Sequence, residues 1–179
     1  MVLLFFGPMF VATIMYFSGN EAWRPSGSVA HGVLLSDPKT LPEGALTLPG
    51  GGTVEFGGKW TLLYVGSGDC DAACKETLYR TRQVRRSMGK ENLRIQRAYV
   101  ATSGTPDPDF IAAEHSGLAV IADGAESREL VLAALGEFAE GDVFVADPLG
   151  NVILRFAPAT EMKDMHADLK LLLNASQIG

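Results

Sequence analysis

The chain has 179 residues, which suits one ordinary domain with a single sizeable core plus a small extra segment. Lys and Arg number 15 against 21 Asp and Glu, a net charge of −6 that argues against nucleic-acid binding, while 47% hydrophobic residues argue against disorder. Cys70 and Cys74 are too few for a disulfide-stapled miniature fold or a four-cysteine zinc site, and there are only 3 histidines, His31, His115 and His166.

Residues 1–17, MVLLFFGPMFVATIMYF, carry no charge. The run is at the short end of what spans hydrocarbon, Gly7 and Pro8 are tolerated in spanning helices, and Tyr16 and Trp23 stand where interfacial aromatics belong. An uncleaved anchor is the leading reading. A cleaved signal peptide competes, but no basic residue precedes the run and Ser18-Gly19-Asn20 is a poor cleavage site. A buried core helix is the third reading, and the Pro/Gly-rich stretch that follows argues against it.

Residues 18–58 are rich in turn formers: Arg24-Pro25-Ser26-Gly27, Leu41-Pro42-Glu43-Gly44 and Pro49-Gly50-Gly51-Gly52. Short strand-like pieces lie at Val33-Leu34-Leu35 and Thr53-Val54-Glu55-Phe56, so the stretch reads as a linker that becomes a β-hairpin. The glycine run lacks the Lys-Ser/Thr of a phosphate loop and reads as a hairpin turn.

Alternation follows. Residues 60–65 are β-rich and apolar like a buried strand, 66–69 form a loop, and 72–88 hold good helix formers stopped by Gly89. Residues 93–101 alternate as a strand, Asp109 is placed to cap a short helix through His115, and 118–121 form another strand. A helix is predicted over 126–139, then a hairpin of 142–146 and 151–156 around Asp147-Pro148-Leu149-Gly150, then a helix from Thr160 to about Asn174. This order predicts an α/β fold, a thioredoxin-like mixed sheet flanked by helices, with an N-terminal transmembrane helix. The expected division is an anchor over 1–20, a linker with introductory strands over 21–50, and the domain over 51–179.

Cys70-Asp71-Ala72-Ala73-Cys74 follows the apolar strand and opens a helix. A helix start offers unpaired N–H groups and a positive dipole end, both of which favour thiolate, although Asp69 and Asp71 oppose it. Three intervening residues put the sulfurs one turn apart on one face, where a slight unwinding would close a disulfide or both thiolates would hold a soft ion such as Cu(I). Both are expected to be accessible. Two small buried residues or a fixed structural disulfide are the alternative. Residues 75–97 carry eight Lys and Arg against Glu76 and Glu91, an excess that an anionic partner or acids elsewhere in the fold would relieve.

The run GKWTLLYVG at 58–66, with Cys70 and Cys74, resembles the active-site strand, loop and helix of the Sco/SenC proteins, and FVADPLGNV at 144–152 is similar to that family's closing hairpin. Trp23-Arg24-Pro25, His31-Gly32 and LYRTRQVR at 78–85 further resemble a group of small anchored bacterial proteins associated with cytochrome oxidase assembly. The resemblance implies a thioredoxin-fold factor in copper insertion into cytochrome c oxidase. The stretch matching the family's copper-binding histidine, residues 138–142, contains no histidine. Cys70 and Cys74 transfer by position, as redox pair or Cu(I) ligands, and His31 is the candidate third ligand.

The resulting expectation is an accessory protein of cytochrome c oxidase biogenesis, single-pass in the cytoplasmic membrane, its soluble domain facing the periplasm. Its partners would be an oxidase subunit or other assembly factors, with no nucleic acid. Cys70 would be the attacking thiol and Cys74 the resolving one. A general membrane-anchored thiol–disulfide oxidoreductase and a non-catalytic scaffold are the rivals.

Overall fold

The computed structural model describes residues 2–17, 30–48, 51–122, 126–176 and 178. The expectations placed on Ser18-Gly19-Asn20, Trp23-Arg24-Pro25 and Pro49-Gly50, and on the Tyr16 side chain, lie outside the described residues.

Strand alternation builds the domain. In β4 (Trp60–Gly66) every residue is buried, so both faces of the strand must be covered. Trp60, Leu62 and Tyr64 enter one apolar cluster, and Leu63 and Val65 the other. β5 (Ile95–Ala101) and β6 (Leu118–Ile121) add parallel strands on one side of β4. On the other side lie the antiparallel β7 (Val143–Ala146) and β8 (Val152–Phe156), then β1 (Val33–Leu34). The six-stranded order is β1-β8-β7-β4-β5-β6, the mixed sheet that the alternation predicts.

Helices cover both faces. α2 (Ala72–Ser87) buries Cys74, Thr77, Leu78, Thr81 and Val84, one stripe at helical spacing, against the first cluster. α5 (Met162–Ala175) adds Met165, Leu169 and Leu173 to the same cluster. α4 (Glu126–Leu135) covers the second with Val131 and Leu135.

The introductory segment does become a hairpin, β3 (Thr53–Glu55) pairing with β2 (Ala45–Thr47), while Val33–Leu34 pairs with β8 of the main sheet. Lys39 and Leu41 also exchange backbone hydrogen bonds with Val152 and Gly150, so residues 33–41 run along the closing hairpin.

Three ends shift for local reasons. α3 (Pro108–Glu114) is capped by Asp107, not Asp109: Pro108 takes the first helical position, where its missing N–H costs nothing, and the Asp107 carboxylate accepts from Asp109 N at 3.0 Å. α4 stops at Leu135 because Gly136 turns to φ +71, leaving Phe138 to pack from a loop. α5 opens after Glu161, without a side-chain cap, so Thr160 lies before it.

The first helix, α1 (Val2–Phe17), has 16 residues with Pro8 inside it. Its length of about 24 Å falls short of the ~30 Å hydrocarbon layer. Among the described residues no helix is long and apolar enough to cross a membrane. Phe6, Met9, Phe10, Val11, Ile14 and Phe17 on α1 are all exposed.

Candidate functional site

The cysteine corner begins where β4 ends. Gly68 N donates to Ser103 O at 2.7 Å, and a Cβ on Gly68 would come within 2.6 Å of the backbone of residues 103–105, so only glycine permits this approach. Cys70 N then donates to Ser67 O at 3.2 Å in a tight turn, and Cys70 takes φ +36, the one described non-glycine residue in the left-handed region. Asp71 caps α2, its Oδ1 accepting from Cys74 N at 2.9 Å.

Cys70 therefore precedes the helix and Cys74 sits in its first turn. They form a disulfide with Cα atoms 5.1 Å apart. The left-handed turn at Cys70 brings the sulfurs together, not an unwinding of α2. The Asp71 cap also occupies one of the N–H groups that would otherwise favour a thiolate.

Each cysteine is only 5% exposed, against the expected free access, because Cys74 lies on the stripe that α2 turns to the sheet. Both nonetheless line a cavity of about 420 Å³, shared with Tyr64, Asp69, Asp71, Glu76, Arg80 and Glu140. The bridge is thus the floor of a depression with an acidic rim, where Arg80, the one cation among the described lining residues, pairs with Glu76 at 2.9 Å.

Two tyrosines support this floor. Tyr64 and Tyr99 meet edge to face with centroids 4.9 Å apart. The Tyr99 hydroxyl donates to Ser67 O and lies 3.8 Å from Cys74 Sγ. Burial, then the charges of Asp71 and Glu140, pushes the Tyr64 phenol up to about 12; burial chiefly raises Tyr99 as well, so both stay protonated at neutral pH. These residues escaped the sequence reading, although strand alternation from Trp60 already put Tyr64 on the α2 face.

Another part of the lining is tied to the same strand. Val65 N donates to Asp142 O at 3.0 Å and Gly141 N donates to Val65 O at 2.7 Å, and Gly141 and its neighbour Glu140 line the cavity with the bridge.

His31 has other partners. The buried Asp168 carboxylate of α5 accepts from His31 N and Gly32 N, both at 2.8 Å, and meets His31 Nδ1 at 2.9 Å. Asp164 stands 3.6 Å from Nε2, and the hydrogen bond to Asp168 leads the causes that raise the His31 pKa. No group of three or more His, Cys, Asp or Glu placed to hold a metal occurs among the described residues. His166 is half-buried on α5, and His115, at the end of α3, is 1% exposed rather than superficial.

Much of the basic run is satisfied internally. Arg85 donates to Asn92 O and Ile95 O, Arg82 to Glu114 O, and Arg94 to Leu173 O and Ser176 O. Lys75 lies 5.1 Å from the Phe110 ring centre, and Arg97 is buried beside His115.

Comparison with solved structures follows this geometry. Apo Sco1 from Thermus thermophilus matches 82% of this chain and 99% of its own, with TM-score 0.65 and 22% identity. Copper-bound ScoI from Bradyrhizobium japonicum matches 75% and 97%, with TM-score 0.56 and 20% identity. BsSco, described as a member of the Sco family of cytochrome c oxidase assembly proteins with a disulfide switch, matches 79% and 99%, with TM-score 0.58 and 13% identity. At such identities the likeness speaks for the fold. No curated protein matches at the level of sequence. The family model described as transmembrane-like, thioredoxin-like, C-terminal domain matches residues 60–176, and the chain belongs to that family, with the thioredoxin-like fold of the Sco/SenC proteins.

Proposed function

We propose that the protein is an accessory factor of cytochrome c oxidase biogenesis that works by thiol–disulfide exchange at Cys70 and Cys74. The observation that carries this reading is the Cys70–Cys74 bridge on the floor of a cavity at a strand-to-helix corner. Two electrons and two protons convert the bridge to two thiols, and a partner dithiol that supplies them leaves as a disulfide. Cys70, in the loop, is the attacking thiol of the reduced form; Cys74, on the buried stripe beside Tyr99, resolves the mixed disulfide.

Cu(I) fits the reduced pair as cargo. Two thiolates are soft donors suited to a low-coordinate Cu(I), whereas the disulfide form offers none. Copper-bound Sco structures and BsSco support the oxidase context for this chain. His31 as a third ligand would have to leave Asp168 first.

Membrane attachment through residues 1–20, a connecting stretch over 21–50 and a domain over 51–179 facing the periplasm complete the proposal. The uncharged run and the exposed apolar side chains of α1 support it, and local bilayer thinning accommodates a short span. The domain side suits a pair that must cycle rather than stay reduced.

The test replaces both cysteines by Ser in cells that depend on the oxidase. Loss of oxidase copper and activity, with alkali-resistant membrane association retained, is the expected result; normal copper content would favour a scaffold. Rapid turnover of an unrelated disulfide such as insulin would favour the general oxidoreductase instead. Anaerobic Cu(I) titration of the reduced protein beside Cys70→Ser is expected to show one ion per chain, lost in the variant.

A further inference from the structure

The lining of the disulfide cavity is charged almost entirely in one sense. Four acidic residues, Asp69, Asp71, Glu76 and Glu140, share it with a single guanidinium, that of Arg80. Arg80 is taken up by Glu76 and by Thr160 O, 3.5 Å away. Asp69, Asp71 and Glu140 have no cationic partner among the described residues. Two of these carboxylates are held in place. Thr102 Oγ1 donates to Glu140 Oε1 at 2.7 Å, and Asp71 Oδ1 accepts from Cys74 N at 2.9 Å.

All four acidic residues are exposed, whereas each sulfur-bearing residue is 5% exposed, so a group that reaches the bridge arrives among carboxylates. Their charge is felt at the sulfurs. Burial first, then Tyr64, then Glu140, Asp69 and Asp71 raise the Tyr99 phenol, whose oxygen lies 3.8 Å from Cys74 Sγ. Exchange at this bridge brings an anion into that field, because the nucleophile is a thiolate. The unpaired carboxylates oppose it, and positive charge carried beside the attacking sulfur offsets the opposition. A single ammonium can meet one carboxylate. A peptide with cations on both sides of its cysteine can meet Asp69 or Asp71 and Glu140 together.

We propose that the partner reducing this bridge presents its cysteine in a basic peptide segment, with Lys or Arg on either side of it. The inference rests on the redox reading above and names the substrate class of that site. The peptide thiolate attacks Cys70 Sγ, the Cys70–Cys74 bond breaks, and Cys74 leaves as a thiolate that takes a proton from water. A second peptide thiolate then attacks the peptide sulfur of the mixed disulfide. Cys70 leaves as a thiolate and is protonated in turn, and the two peptides depart joined by a disulfide. A neutral thiol gains nothing from the rim, and an anionic one is repelled.

The test follows reduction of the oxidised full-length protein in non-ionic detergent, with thiols trapped by alkylation and counted by mass. The probes are the blocked peptides Lys-Gly-Cys-Gly-Lys, Ser-Gly-Cys-Gly-Ser and Glu-Gly-Cys-Gly-Glu. Each rate is divided by the same peptide's rate with bis(2-hydroxyethyl) disulfide, which removes differences in intrinsic thiol reactivity. At low ionic strength the lysine peptide should react about tenfold faster than the serine peptide, and the glutamate peptide about tenfold slower. Both differences should shrink in about 1 M salt. Asp69→Asn combined with Glu140→Gln should reduce the lysine-to-glutamate ratio several-fold; Asp71 is left alone because it caps α2. Cysteamine should gain less over 2-mercaptoethanol than the lysine peptide gains over the serine one, and an equal or greater gain would overturn the peptide assignment. Equal rates for the three peptides, or an unchanged ratio in the double variant, would overturn the inference and leave the redox reading standing. A bridge that neither the peptides nor dithiothreitol opens would remove both.

Discussion

Gly68 fixes the approach of the cysteine corner to the neighbouring loop. Its Cα lies so close to the backbone at 103–105 that any Cβ would meet backbone atoms at 2.6 Å, and backbone cannot swing aside as a side chain can. Gly68→Ala should therefore cost about 1–3 kcal/mol, the range for overpacking, read as a lower urea midpoint at unchanged slope. The same shift would move Ser67, whose carbonyl receives the Tyr99 hydroxyl, so the near-ultraviolet dichroism of the tyrosines should change with it. An alanine variant as stable as the wild type would show that the two loops do not bear on each other.

Among the elements, α2 carries the clearest consequence of the bridge. The disulfide ties Asp71, the helix cap, into a loop of sequence separation 4. So short a loop constrains the unfolded chain only modestly, and reduction should lower stability by about 2 kcal/mol, measured by denaturation with and without a thiol reductant. A much larger loss would mean that the bridge is a structural staple, and cycling would then be costly. What was legible at this scale follows from pattern strength. β4, α2 and the β7–β8 hairpin were readable because their periods and turn residues are unambiguous. β2 was not, since Ala45–Thr47 is three residues between Gly44 and a turn, too short to show any period. The cap of α3 differs because Pro108 belongs at the first helical position and moves the start two residues earlier. The burial of Cys74 depended on which face of α2 docks, which spacing alone leaves open; its neighbours Thr77 and Thr81 on the same stripe blur the apolar signal.

Across the whole molecule, the Asp168 carboxylate joins the segment entering the domain to the last helix, over a sequence distance of 137 residues. No local pattern reveals such a contact, and the burial of His115 beside Arg97 is hidden for the same reason: both depend on strand order. Because the His31 pKa is raised above 6.5, chiefly by the bond to Asp168, its protonated form is favoured by folding. The contribution is therefore fully present below the unfolded value and is lost as pH rises through the higher folded one. The stability gap between wild type and His31→Gln should shrink as pH rises above about 6.5, measured by urea unfolding at constant ionic strength. A gap that widens toward alkaline pH would contradict the clasp.

The pairing of Val65 with both Gly141 and Asp142 has a mechanical meaning. These bonds hold the turn before β7 to the end of β4, so the Glu140 side of the cavity moves with that strand. On the proposed redox reading a reductant would have to reach sulfur through this cavity, on whose floor each cysteine is only 5% exposed, a geometry that would favour small thiols and projecting peptide loops over flat protein surfaces.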